Sequence, residues 1–330
     1  MAATGQQPAP APSESRAATL RRVISDYPLL VLLVLLAALG IATNIASPGF
    51  LVPDKFSTTL LISGPLGLLA AGETLVLLTG GIDLSVTSTA TIATYFMVQN
   101  AGANAPLAIA GALGLGLLVG FVNGIGIGPF AVSPLIMTLG MSGILSGLIT
   151  IWAANSSITP VMPDIVRQSG SVKWFGFVPI DMVIWGVMAA VLIMVLRGSG
   201  FGRSVYAVGS NPIASQLAGV RTWQVLIGVY SLCGVLSAMA GLLLAGYLGA
   251  VDTAMASPYL LQTVAAVVIG GTSILGGSGG LGGSIVGVLI LTVLGSLLNL
   301  MNIDEAYRQM LYGAVVLTLA WVYARTSGSE

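Results

Sequence analysis

The sequence predicts an all-α, polytopic membrane protein with about ten transmembrane helices, and three observations carry that expectation. Hydrophobic residues make up 56% of the 330 residues and charged residues only 7%, whereas a water-soluble domain carries roughly a quarter charged residues. Mean hydropathy is +0.99 over the whole chain, so most of it is built for lipid. Apolar runs near the ~20 residues needed to cross a bilayer recur from one end to the other.

Taken in order, residues 1–19 are rich in Ala, Pro, Ser and Gln with no apolar periodicity and read as a disordered cytoplasmic tail, leaving 20–330 as the transmembrane domain. Arg21 and Arg22 precede the first span, Pro28 to Ala46, which is long for a signal-peptide core and is followed by many more, so it reads as an uncleaved anchor. Further spans are expected at 58–79, 84–99, 106–128, 134–153, 180–196, 223–248, 260–275, 282–301 and 308–324. With the N-terminus inside, this count puts Arg16, Arg21, Arg22, Arg197, Arg203, Arg221 and Arg325 in the cytoplasm and Lys55, Arg167, Lys173 and Arg308 outside. An excess of Lys and Arg marks cytoplasmic loops, so both termini are expected inside a bacterial cytoplasmic membrane.

Two spans are weak. Residues 84–99 are rich in Thr and Ser, and 260–275 is short and ends in GGTSILGG. Gly-interrupted segments of this kind mark places where transporter helices break, because irregular backbone at membrane depth needs protein or water around it. The same regions resemble each other: Ala70 and Ala71 lead to LTGGIDLSV, and Ala265 and Ala266 to IGGTSILGG, which suggests an internal duplication.

Charge excludes several functions. Lys plus Arg and Asp plus Glu balance at 11 each, which leaves no field to recruit nucleic acid. The single cysteine, Cys233, lies in an apolar run and reads as a helix-packing residue. A GxSG string at Gly140 to Gly143 matches intramembrane serine proteases, but the chain has no histidine to serve as base. No GxxxxGK[ST] phosphate loop occurs, so the chain does not hydrolyse ATP itself.

The main aqueous handle is the Gly-punctuated island from Arg197 to Arg221, set between two apolar spans. Asn211 followed by Pro212 reads as an N-cap with Pro at the first helical position, and Gly219 as a stop, giving a short helix over Pro212 to Ala218. Such a helix either transmits a push from a soluble ATPase or simply lies in the interface.

The stretch GRSVYAVGSNPIASQLAGV resembles the cytoplasmic coupling loop of ribose-type monosaccharide ABC importer permeases, a group within the branched-chain amino acid/ribose permease superfamily. Gly202, Arg203, Tyr206, Ala207, Gly209, Asn211, Ala214, Gly219 and Val220 carry the match, with Pro212 inside it. LVLLTGGIDLSVTS, from Leu75 to Ser88, and AAVVIGGTSILGGSGGLGGSIVG, from Ala265 to Gly287, are similar to two further signatures. Departures are modest: Thr87 and Ser210 stand where glycine is usual. The resemblance implies a second permease copy or paralogue, separate ATPase subunits that bind the ATP and Mg, and an extracytoplasmic sugar-binding protein, with no cofactor in this chain.

Asp83 is the remaining residue of interest. A carboxylate within a span costs roughly 2.5–3.5 kcal/mol on insertion scales, so it either lines a path or caps the helix that begins near Leu84, with Ser85 beside it. The cap is favoured, since GGID is where one helix stops and another starts. Glu73, Gln99, Asn123, Asn155 and Gln262, together with Asp83 and Ser85, are candidates for a hydrophilic passage whose neutral groups suit sugar hydroxyls; amide bonding between helices fits them equally. An ion-coupled transporter using Asp83 or Glu73, and a branched-chain amino acid permease, are the alternatives to a sugar importer. An intramembrane aspartyl enzyme would need a second carboxylate facing Asp83, and no partner is evident from the sequence.

Overall fold

The computed structural model describes residues 28–155 and 161–327. The expected tail, Arg16, Arg21 and Arg22 lie outside them. Among the described residues there are fourteen helices and one two-stranded antiparallel ribbon, Lys173–Trp174 (β1) with Val178–Pro179 (β2). The helices are α1 Pro28–Ala46, α2 Pro53–Leu60, α3 Ser63–Leu78, α4 Val86–Asn100, α5 Ala105–Ile127, α6 Pro134–Asn155, α7 Asp164–Ser171, α8 Ile180–Gly198, α9 Gly200–Ser210, α10 Pro212–Leu217, α11 Thr222–Leu248, α12 Tyr259–Ile269, α13 Leu281–Leu300 and α14 Glu305–Ser327.

Each expected span overlaps these helices, and 58–79 overlaps two of them. By length and composition six of them, α1, α5, α6, α8, α11 and α13, are able to cross a membrane alone, and α2 with α3, bent by 41°, form either a broken seventh span or a re-entrant loop. The expected span 58–79 is therefore two helices, divided at Leu61 and Ile62, and 260–275 stops at Ile269, where Gly270 and Gly271 end the helical hydrogen bonding. The island also differs from expectation: residues 200–210 form α9, an amphipathic helix, where only Pro212 to Ala218 was expected to be helical.

The centre of the molecule is α3, buried along its whole length, and α11, buried over more than half of it. Exposed apolar side chains such as Leu33, Ile41, Ile136, Leu139 and Ile151 line the outer helices. Small residues let the inner helices touch. Gly116, Gly120 and Gly124, one turn apart on α5, lie against the backbone of Gly234, Tyr230 and Ile227 of α11, the close approach that replaces the hydrophobic effect as a packing force in lipid. A side chain at Gly120 would collide with the Tyr230 carbonyl, while one at Gly114 meets nothing within 4 Å.

Gly120→Val should therefore cost about 1–3 kcal/mol by overpacking and lower the yield and melting temperature of detergent-extracted protein, whereas Gly114→Ala should match the parent in both.

Candidate functional site

Two helices break inside the membrane domain in the same way. After α3, Gly80 turns to φ +79°, its N–H donates to Leu77 O and the Gly81 N–H to Val76 O. After α12, Gly271 turns to φ +84°, its N–H donates to Val268 O and the Thr272 N–H to Val267 O. This left-handed cap satisfies the last carbonyls of a helix and needs glycine at the turn.

Beyond the first cap the chain must cross 79–85 without helical bonds, and polar side chains supply the partners. Glu73 Oε1 accepts from the Asp83 N–H at 3.2 Å, and Thr138 Oγ1 accepts from the Leu84 N–H at 3.1 Å. Asp83 Oδ1 accepts from the Ser85 N–H at 2.8 Å and its hydroxyl at 2.6 Å, and Asn123 Nδ2 donates to Ser85 Oγ at 2.9 Å. Glu73, Asp83, Ser85 and Asn123 are buried together in one cluster. Its other walls are Tyr230, whose hydroxyl stands beside Gly81, and the thiol of Cys233, which lies against Asp83. Contrary to the sequence reading, Asp83 does have a carboxylate neighbour, Glu73. The ten intervening residues fold back through the glycine cap to bring the two together, which spacing along one helix does not reveal. Thr138 and Tyr230 were missed because they arrive from distant elements.

The second break packs on the first. The Gly277 N–H donates to Leu78 O at 3.0 Å, so the terminal carbonyl of α3 is held by the loop after α12. Gly209, near the end of α9, closes the third side: a side chain there would meet both Leu78 O and the Gly277 nitrogen. Tyr206 on the same helix donates to Gly279 O at 3.1 Å. Burial pushes the Tyr206 hydroxyl above the ordinary phenol range, with Arg197 pulling weakly the other way, and it remains a neutral donor. The island is thus seated directly on both broken helices.

Local chemistry builds the island. Ser199 Oγ accepts from the Gly202 N–H at 3.1 Å and caps α9, and Gly202 allows the reversal because a side chain there would strike Leu196. Asn211 Oδ1 accepts from the Ala214 N–H at 2.9 Å, Pro212 opens α10, and Gly219 ends it at φ +87°. Phe201, Val205 and Val208, at i, i+4 and i+7, turn inward, while Ile213 and Leu217 on α10 are 72% and 86% exposed. These two exposed apolar side chains lie about one turn apart. Arg203 is exposed on α9.

The remaining path candidates lie elsewhere. Gln99 is half-buried near the end of α4, Asn155 is exposed and bonds its own helix at Ile151 O, and Gln262 is buried on α12 in a separate pocket.

A membrane domain of apolar spans, two helices broken at glycine and a surface helix pair resting on the breaks has the plan of a transporter membrane subunit. The chain belongs to the family described as the branched-chain amino acid transport system / permease component, whose model matches residues 56–320. It is 35% identical over 296 residues to the ribose import permease protein RbsC of Escherichia coli K12, covering 88% of this chain and 91% of that one. It is 34% identical over 303 residues to the fructose import permease protein FrcC of Rhizobium meliloti, covering 88% and 82%. The autoinducer 2 import system permease protein LsrC of Escherichia coli O9:H4 is 33% identical over 290 residues, covering 86% and 84%. No solved structure matches the chain. The protein is a multi-pass membrane transport subunit and not an enzyme.

If Asp83 serves the broken backbone, Asp83→Asn should keep near-parental stability and transport, since the amide oxygen still accepts from Ser85. Asp83→Ala should lose about 1–3 kcal/mol by stranding those donors, read as a lower melting temperature in detergent.

Proposed function

We propose that this chain is the membrane-spanning permease subunit of an ATP-binding-cassette importer for a monosaccharide such as ribose, xylose or galactose, or for a related polyol. Two such subunits enclose the path, ATPase subunits dock on α9 and α10 from the cytoplasm, and a soluble binding protein delivers sugar on the opposite face. The observation that carries this reading is the junction of Gly209, Leu78 and Gly277: a force applied to the exposed Ile213 and Leu217 reaches both broken helices through backbone contacts, with no flexible side chain between. Close-packed interiors transmit such displacements.

Orientation follows from charge. Arg197, Arg203 and Arg221 lie at the end that carries α9 and α10, and Lys55, Arg167, Lys173 and Arg308 at the other, so α9, α10 and both termini are cytoplasmic. The ion-coupled alternative rests on Glu73 and Asp83, each with one oxygen engaged by the backbone of the break and with Glu73 Oε2 unpaired among the described residues.

In cells supplied with the ATPase and binding protein, sugar uptake should follow cellular ATP and persist under a protonophore for as long as ATP is held constant. Loss of uptake under that condition would favour ion coupling. Gly219→Trp, which forces a bulky residue to φ +87° on the docking face where its own chain leaves open space, should insert normally yet fail to co-purify the ATPase.

A further inference from the structure

A pocket of about 300 Å³ lies between the α2–α3 bend, α12, α13 and α14, at the lower end of the roughly 300–1,000 Å³ typical of small-molecule sites. It sits at the end of the molecule away from α9 and α10. α13 starts beside Tyr206 and runs toward it, and α11 starts after α10 and reaches it at Tyr247. We propose that this pocket is a binding site for a neutral monosaccharide on its way into the membrane domain. The proposal rests on the import reading above and assigns that reading a place in the chain.

The pocket is built for hydrogen bonding in an apolar frame. Tyr247, Tyr259 and Tyr312 offer ring faces for sugar C–H groups and hydroxyls for its oxygens. Between them lie Gln262 and Thr292, 9% and 5% exposed. Thr292 Oγ1 is closed to solvent and has no hydrogen-bond partner among the described residues, although buried hydroxyls almost always have one. The structure also gives the Gln262 amide no partner among the described residues. The Gln262 amide is thus free for a ligand that donates and accepts, as a sugar hydroxyl does. Gly295 forms the floor: a methyl there would stand 3.4 Å from Tyr312 Oη and 3.8 Å from Gln262 Nε2, so both polar groups converge on the space that its missing side chain leaves.

Charge selects the class of ligand. The two ionic groups in the lining, Glu305 and Arg308, are 3.4 Å apart and pair with each other, and Glu305 accepts from Gln309 besides, at 2.7 Å. Every other lining group is neutral. A zwitterionic amino acid would have to break that pair to be held, whereas a polyol would not.

The test uses Ser296→Cys, on the pocket wall, in the complex with its ATPase in opened membranes, with the parent, whose only thiol is the buried Cys233, as background. A small charged methanethiosulfonate reagent should modify Ser296→Cys, and one of ribose, xylose or galactose, at ten times its dissociation constant, should slow modification about tenfold because only the free fraction reacts. Leucine should leave the rate unchanged. Adding Gln262→Leu should raise the sugar concentration for half-protection about fivefold to tenfold, the loss of one hydrogen bond. Parental uptake of a sugar that gives no protection would overturn the pocket and leave the import reading standing. Absence of uptake of any sugar by the complete system would overturn the import reading itself. Protection by leucine and not by sugar would overturn the assignment of ligand class.

Discussion

A backbone that leaves its helix inside a membrane protein has no water to fall back on, and most of this structure answers that constraint. Each N–H stranded between α3 and α4 costs several kcal/mol if unpaired in an apolar interior. Glu73, Asp83 and Thr138 supply acceptors for three of them. The terminal carbonyl of α3 finds its partner in Gly277. That last bond draws the two breaks together, and the gap it leaves is narrow enough that only a glycine helix face, that of Gly209, packs on it.

Polar residues at membrane depth therefore serve two ends. The cluster around Asp83 holds an irregular turn rigid, and rigidity is what a coupling element needs if displacement at α10 is to arrive undiminished at the breaks. The pocket near Gln262 has a different character: the Gln262 amide has no partner among the described residues and borders the space over Gly295. One set accepts from the backbone of the break, although Glu73 Oε2, Asn123 Oδ1 and the Tyr230 hydroxyl stay unpaired among the described residues, and the other lines an open pocket.

The helices were legible in the sequence because span length and apolar composition fix them with little help from tertiary contacts. The same holds for the caps at Asn211 and Gly219, which depend on one or two residues each. α9 was missed because Gly200, Gly202 and Gly209 depress helix propensity, even though Ser199 and the inward row of Phe201, Val205 and Val208 were there to be read. The pairing of Glu73 with Asp83 and the convergence of Tyr312 and Gln262 on Gly295 depend on turns and crossings that no local pattern encodes. Gln99 and Asn155, chosen only for being polar within spans, lie at helix ends apart from both sites.

The central claim is that α9–α10 and the loop after α12 move as one body. Spin labels at Leu217 and Leu275, both exposed, report it directly through their separation by pulsed dipolar resonance in the assembled transporter. The account predicts the same Leu217–Leu275 distance in nucleotide-free and ATP-bound states, while the distance from Leu217 to a label at the exposed Phe175 on the opposite face changes. A Leu217–Leu275 distance that shifts as much as the Leu217–Phe175 distance would contradict it.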